Sequence, residues 1–175
     1  KIKTNSSKIY FSDKELNEIS KKIDKKIKQA IDQAYNRIKK FHSKQKFLSF
    51  KFKDKYKNEL SYKYTAIEKV GVYVPGGTAS YPSTVLMNCI PAQVAGVKNI
   101  FLTTPSLDLK VNPAVVYAAK KCGVKKIYKT GGAHSIAAFA YGTKNFEKVD
   151  KIVGPGNAFV ASAKREVFGD VGIDM

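Results

Sequence analysis

Residues 70–77 read VGVYVPGG, a short β-branched run that stops at a Pro-Gly-Gly turn. Valine and tyrosine favour strands, and proline and glycine end them, so this run predicts a buried strand followed by a tight turn. The pattern returns downstream as KIYKTGG at 126–132 and KIVGPGN at 151–157. Repeated strands that each lead through a glycine turn into an apolar stretch are typical of an α/β domain.

The segments between these strands predict helices. Residues 82–95 form an apolar stretch of helical length closed by Gly96, and residues 112–122 carry Pro113 near their first turn and Gly123 just after their end. A strand at 99–103 and helices at 133–141 and 157–167 complete the alternation. Alternating strands and helices joined by short turns predict a parallel sheet with helices on both faces.

The N-terminal part has a different pattern. Ser12 and Glu15 have the spacing of a capping box, which predicts a helix start. Apolar residues then recur at steps of three and four up to Phe41, which predicts one long amphipathic helix. Because bulky aromatic anchors are sparse on this stripe, packing on a domain or a partner subunit is preferred to a membrane surface. Residues 46–66 alternate apolar and lysine-rich positions and predict either two exposed strands or extended connectors, without fixing their register. Lysine becomes rarer after Val70, so we place 1–69 in an incomplete domain and 70–175 in a second domain.

The net charge of +18 raises the possibility of a nucleic-acid partner. Basic residues exceed acidic ones by twelve in residues 1–70 and by six in residues 71–175. Nearly all are lysines, whereas base and phosphate recognition favours arginine. A solvated lysine face is therefore the preferred interpretation, with no nucleic-acid partner. The alternative is a basic, non-catalytic binding module, whose binding would weaken steeply as salt rises.

No apolar run approaches the roughly 18 to 20 residues that cross a bilayer. Residues 1–7 are polar where a secretory signal would be apolar, so we expect a cytoplasmic protein with no membrane partner. Lysine at the first position suggests that residues upstream are missing. Cys89 and Cys122 form no metal-ligand or redox spacing and are expected to be buried, reduced thiols.

Candidate ligand-binding residues follow the strands, because open parallel sheets bind ligands beyond the carboxyl ends of their strands. Glycine turns and helix starts suit an anionic or nucleotide-like ligand there, although purely structural turns remain equally possible. Neither G-x-G-x-x-G nor a P-loop motif is present. Tyr73 ends the first strand, where its ring would either stack on a planar ligand or cap the sheet edge.

Two more polar residues open helices at this edge. His134 follows Gly131-Gly132 and can donate or accept a hydrogen bond, but no second His, Cys or carboxylate close in sequence makes it a metal ligand. Asn157 would cap its helix or contact a ligand through its amide. The only histidines are His42 and His134, so no catalytic set and no metal site can be assembled in this chain.

Four segments together resemble the histidinol dehydrogenase family in order and spacing. They are VGVYVPGGTASYPSTVLMNCIPAQVAGV, KTGGAHSIAAFAYGT, VDKIVGPGNAFVASAKREVFG and the terminal GIDM. The resemblance covers residues 69–175 and, more loosely, RIKKFHSKQ at 37–45. It implies an incomplete Rossmann-like domain that holds NAD without the usual fingerprint.

The resemblance also implies an activity. Members oxidise L-histidinol to L-histidine through an aldehyde, as NAD-dependent and zinc-dependent homodimers that complete histidine biosynthesis. The NAD contacts of the family fall on Tyr73, His134 and Asn157 of this sequence. Position 134 is normally Gln in the family, so its replacement by His puts cofactor contact there in doubt.

The family's zinc ligands, substrate-binding groups and Glu-His pair are expected beyond Met175. By this interpretation the chain is a fragment that holds the cofactor domain and is inactive alone. A family member acting on another small alcohol, such as a sulfonated diol, remains an alternative.

Overall fold

The computed structural model describes residues 9–76, 80–106 and 111–174. Its helices are α1 (Asp13–Lys21), α2 (Lys25–His42), α3 (Pro82–Ala95), α4 (Pro113–Lys121), α5 (Gly132–Tyr141) and α6 (Ala158–Glu166). Its strands are β1 (Phe50–Lys53), β2 (Glu59–Tyr62), β3 (Lys69–Tyr73), β4 (Asn99–Thr103), β5 (Lys126–Tyr128), β6 (Lys151–Val153) and β7 (Gly172–Ile173). No helix of these described residues is long and apolar enough to cross a membrane.

The main sheet is parallel, in the order β5-β4-β3-β6-β7. From β3 the chain adds β4 and then β5 on one side. It then returns to add β6 and β7 on the other side, which is the doubly wound arrangement. The predicted α/β class and parallel sheet are confirmed. The two-residue strand β7 was not predicted from the sequence. The order reverses between β3 and β6, so these two neighbouring strands form the switch point of the sheet.

The core lies on both faces of the sheet. On one face, Val72 and Leu102 pack among the apolar side chains of α3 and α4. On the other face, Phe139 of α5 and Val160 of α6 pack with Ile152 of the sheet. Helices on both faces are therefore confirmed.

The N-terminal helix starts at the predicted capping box but does not continue as one element. The side-chain oxygen of Ser12 accepts from the Glu15 N–H, and the Glu15 carboxylate accepts from the Ser12 N–H at 2.7 Å. The prediction of one long helix is wrong, because α1 ends at Lys21 and α2 begins after Asp24. The Asp24 carboxylate accepts from the N–H groups of Lys26 and Ile27, so this residue caps a new helix instead of continuing the first.

The apolar stripe of α1 and α2 packs on helices α3 and α4, which cover one face of the sheet. Leu16 and Ile31 are buried there, and Ile19, Ile23 and Ile38 are partly buried. Ile27 and Phe41, also on the predicted stripe, are exposed. The boundary between domains near residue 70 stays a prediction.

The predicted exposed strands are β1 and β2, which pair antiparallel with Phe50 opposite Tyr62. All eight residues of the two strands are exposed. The rings of Phe50 and Tyr62 stack with centroids 6.0 Å apart. This hairpin is a separate two-stranded sheet whose strands contain no buried residue.

Residues 9–11 run antiparallel along the outer edge of β5. The Phe11 N–H donates to the Ile127 carbonyl at 3.0 Å, and the Lys129 N–H donates to the Ile9 carbonyl at 2.8 Å. The Lys129 ammonium is buried and pairs with the Glu15 carboxylate at 3.2 Å. The start of the described chain is therefore tied to β5 by backbone and side-chain contacts.

The two cysteines are buried and free, as predicted. Cys89 belongs to α3, and Cys122 is the C-cap of α4. A hydrogen bond with the Cys122 side chain, together with burial, raises the pKa of the Cys89 thiol well above its ordinary value. Both thiols are packing groups between two helices.

Replacing Glu15 by Gln should lower stability in a pH-dependent way. Hydrogen bonds from the Ser12 side chain and backbone, with Lys129 adding to them, lower the pKa of Glu15 from 4.5 to about 2. A lowered folded-state pKa stabilises the protein above pH 4.5, and this contribution is lost as the pH falls towards 2. Because the carboxylate is 39% exposed, we expect a loss of about 1 kcal/mol in the free energy of unfolding at pH 7.

Urea unfolding at pH 7 and at pH 3 measures this difference. Glu18→Gln, on the exposed face of the same helix, is the control and should behave like wild type at both pH values. An equal loss at pH 7 and pH 3 for Glu15→Gln would rule out a contribution from the ionised carboxylate.

Candidate functional site

The carboxyl ends of β3 and β6 lie side by side at the switch point of the sheet. Val72 of β3 is in register with Val153 of β6, so Tyr73 and Gly154 follow at the same level. Ligands of doubly wound sheets bind in the crevice outside this point. The turn of residues 154–157 and the start of α5 are therefore the parts of the described chain best placed to meet a ligand.

Gly154 lies too close to β3 for any side chain. Its φ is +108°, in the region that favours glycine, and a Cβ there would lie 2.1 Å from the Tyr73 carbonyl oxygen. The turn after β6 can approach β3 this closely only with glycine at position 154. This contact places the turn directly against the residue that ends β3.

The turns after β3, β4 and β5 also meet, at Pro105. A Cβ on Gly76 would lie 2.4 Å from the Pro105 carbonyl oxygen, and one on Gly131 would lie 2.2 Å from the Pro105 ring. These glycines therefore allow the turns to pack on each other. The structural interpretation of the glycine turns is supported here, and ligand binding has to be argued from other groups.

Tyr73 links the end of β3 to the start of α5. Its side chain is 3% exposed and packs in the core cluster that contains Phe139. Its hydroxyl accepts a hydrogen bond from the Gly132 N–H at 3.1 Å. Since the ring is enclosed by protein, the interpretation of Tyr73 as a cap at the sheet edge fits better than a ring stacked on a ligand.

The start of α5 has no side-chain cap. Gly131 is the N-cap residue and has no side chain, and the Gly132 N–H donates to the Tyr73 hydroxyl. His134 is exposed in the first turn that follows. Backbone donors at an uncapped helix start favour an anionic group, such as a phosphate or carboxylate.

Asn157 forms the predicted cap of α6. Its side-chain oxygen accepts from the Val160 N–H at 3.1 Å, and the residue is exposed. The structure thus connects Tyr73 to the α5 start by a hydrogen bond and to the Asn157 turn through Gly154. His134 and Asn157 open different helices at this same edge.

Sequence reasoning missed two charged residues that hold this turn. Lys164 of α6 is buried at 7% exposure and donates to the Gly154 carbonyl at 2.6 Å. Its ammonium also pairs with the Asp174 carboxylate, whose second oxygen accepts from the Gly154 N–H at 2.7 Å. In the sequence, Lys164 is one of many lysines, and nothing in its spacing shows that it faces inward.

Zinc does not fit any group of side chains that the structure describes. Across residues 9–76, 80–106 and 111–174, no three His, Cys, Asp or Glu side chains gather to hold a metal ion. A zinc site needs about four such ligands, so no chemical step through zinc is derived from these residues.

The strand order defines a doubly wound α/β protein, an architecture in which ligands commonly bind at the strand ends beside the switch point. The family model described as histidinol dehydrogenase matches residues 1–175, and the chain belongs to this family.

Individual relatives agree with the family match. The histidinol dehydrogenase of Pelagibacter ubique is 60% identical over 161 residues, which are 92% of this chain and 38% of the relative. That of Bacillus subtilis is 53% identical over 162 residues, again 92% of this chain and 38% of the relative. The crystal structure of histidinol dehydrogenase from Elizabethkingia anophelis aligns with a TM-score of 0.92 at 41% identity, over 97% of this chain and 40% of that one. The chain thus spans about two fifths of the length of these relatives.

Removing the cap of α6 should cost stability independently of any ligand. Asn157→Ala should lower the free energy of unfolding by about 1 kcal/mol, and Asn157→Ser should restore most of it because serine also caps helices. Asn112→Ala is the matched control, since Asn112 caps α4 through the Ala114 N–H at 2.8 Å. Chemical denaturation without ligand should give similar losses for the two alanine variants; no loss at position 157 alone would contradict the cap.

Proposed function

We propose that this chain carries the NAD-binding part of an enzyme that oxidises L-histidinol to L-histidine through histidinaldehyde, completing histidine biosynthesis. Family membership supports the reaction, because the relatives are named histidinol dehydrogenases. One structural observation carries the cofactor assignment. The Gly154–Asn157 turn, Tyr73 and the uncapped start of α5 meet at the switch point of a doubly wound sheet.

The described residues fit a dinucleotide at this place. Uncapped backbone donors at α5 suit its negatively charged diphosphate, and glycine at position 154 lets the turn after β6 pack directly against the end of β3 at this edge. The G-x-G-x-x-G fingerprint is absent, so the cofactor would be held by two separate turns. Bound NAD supplies the hydride acceptor for each oxidation step.

The residues of this chain would bind and orient the cofactor. The Tyr73 hydroxyl fixes the position of Gly132 and with it the first turn of α5. Asn157 keeps α6 capped through its oxygen, and its exposed amide is available to a ligand. His134 is exposed on the first turn of α5 and can donate or accept a hydrogen bond to the cofactor. No catalytic role is assigned to any described side chain.

The further properties of the proposed enzyme rest on the family. Zinc, a homodimer and a cytoplasmic location are part of this proposal, whereas substrate-binding and proton-transfer groups are assigned to no described residue. The comparisons do not favour a basic nucleic-acid-binding module or a different alcohol substrate.

Titration of NAD into the purified protein tests the cofactor site. Tyr73→Phe removes the hydroxyl that positions α5, and Asn157→Ser keeps the cap but removes the amide. Each should raise the Kd for NAD about fivefold, which corresponds to the loss of one hydrogen bond. His134→Gln introduces the residue that the resemblance expects and should bind at least as tightly as wild type.

Tyr141→Phe is the matched control, because Tyr141 lies at the far end of α5 and its hydroxyl contacts Asp170. Its Kd for NAD should equal that of wild type. Equal affinity in all variants would overturn the site, and absence of saturable NAD binding by wild type would overturn the cofactor assignment.

A further inference from the structure

The ion pair of Lys164 and Asp174 is hydrogen-bonded to the backbone of Gly154. The N–H of Gly154 donates to Asp174 and its carbonyl accepts from Lys164, so both polar groups of this residue are bonded to side chains. A regular strand would satisfy such groups through its neighbours, but the ladder between β3 and β6 ends at Val153. The two side chains therefore supply hydrogen bonds to the backbone one residue beyond the end of this ladder.

Burial of Lys164 shows that its charge has a specific partner. The ammonium is almost fully enclosed, and a buried charge is costly unless it is paired and hydrogen-bonded. Asp174 is partly exposed, and an ion pair with a buried member is weak evidence for stability, since apolar residues of similar size often stabilise a fold equally well. What this pair adds over apolar packing is a defined orientation of the Gly154 peptide groups.

The pair also joins three elements at the switch point. Lys164 lies in the second turn of α6, Asp174 follows β7, and Gly154 follows β6. Gly154 cannot be fixed by a side chain of its own, because a Cβ there would clash with the Tyr73 carbonyl oxygen. The conformation of the Gly154–Asn157 turn is therefore set by residues from outside the turn.

We infer that Lys164 and Asp174 are positioning residues that hold the Gly154–Asn157 turn in the conformation that binds the cofactor. This inference rests on the proposed function, in which this turn forms part of the NAD site. Neither side chain needs to touch NAD. They act through Gly154 on the position of Asn157.

Two measurements on the same purified proteins test the pair. Lys164→Met keeps the aliphatic length and removes the charge, and Arg165→Met is the matched control because Arg165 is the adjacent, exposed basic residue of α6. Amide hydrogen exchange is followed in peptides covering residues 152–160, and NAD is titrated at a temperature where circular dichroism shows each variant to be folded.

Lys164→Met should speed exchange in the turn about tenfold and raise the Kd for NAD about tenfold, as expected for the loss of a charged hydrogen bond. Lys164→Arg keeps the charge and should restore part of both properties. Arg165→Met should match wild type. If Lys164→Met does not fold, Asp174→Asn, which retains an acceptor for Gly154, is judged by the same two readouts.

The outcomes separate this inference from the proposed function. If wild type binds NAD and Lys164→Met changes neither exchange nor Kd, the positioning role is overturned while the NAD site stands. A lower Tm with an unchanged Kd would likewise reduce the pair to a structural role and overturn the inference. If wild type does not bind NAD, the proposed function fails, and unchanged exchange in Lys164→Met would overturn the positioning of the turn as well.

Discussion

The structure depends on the pairing of β3 with parallel strands on both sides. β4 bonds one edge and β6 the other, so β3 is the central strand at the point where the order reverses. On one of its faces, a Cβ on Gly71 would lie 2.8 Å from the Phe139 ring of α5. The Phe139 ring of α5 thus packs directly on the backbone of β3, because Gly71 has no side chain. This contact fixes the distance of α5 from Tyr73 and so determines the geometry of the site.

Much of this arrangement could be predicted from the sequence, because its signals are local. Gly96 adopts the left-handed conformation that ends α3, and Asn112 and Pro113 open α4 as such residues commonly do. The break before α2 was missed because the apolar stripe keeps its spacing across it, and only the Asp24 cap marks the new helix. Strand β7 was missed because two residues are too short to show an alternating pattern.

The arrangement of the candidate site could be predicted only in part, for a similar reason. Tyr73 ends β3 and Asn157 closes the short turn after β6, so their place at the sheet edge can be deduced from the chain order. Lys164 and Asp174 lie ten and twenty residues after Gly154, and their contact with it exists only once α6 and β7 are in place. The many lysines of this chain also make Lys164 hard to recognise in the sequence. Most lysines of this chain are exposed, whereas Lys129 and Lys164 are buried beside a carboxylate, and both follow or contact the carboxyl ends of strands.

The segment of residues 9–11 also protects the sheet. Without it, β5 would present a row of free backbone donors and acceptors, which is the usual starting point for strand addition between molecules. Backbone bonds from Phe11 and to Ile9 occupy this row, and the pair of Glu15 with Lys129 keeps the segment in place. On the opposite side, β7 is only two residues long and offers little edge to a second molecule. Residues 9–11 therefore leave β5 no free outer edge to which a strand of another molecule could add, a role separate from anything the site binds.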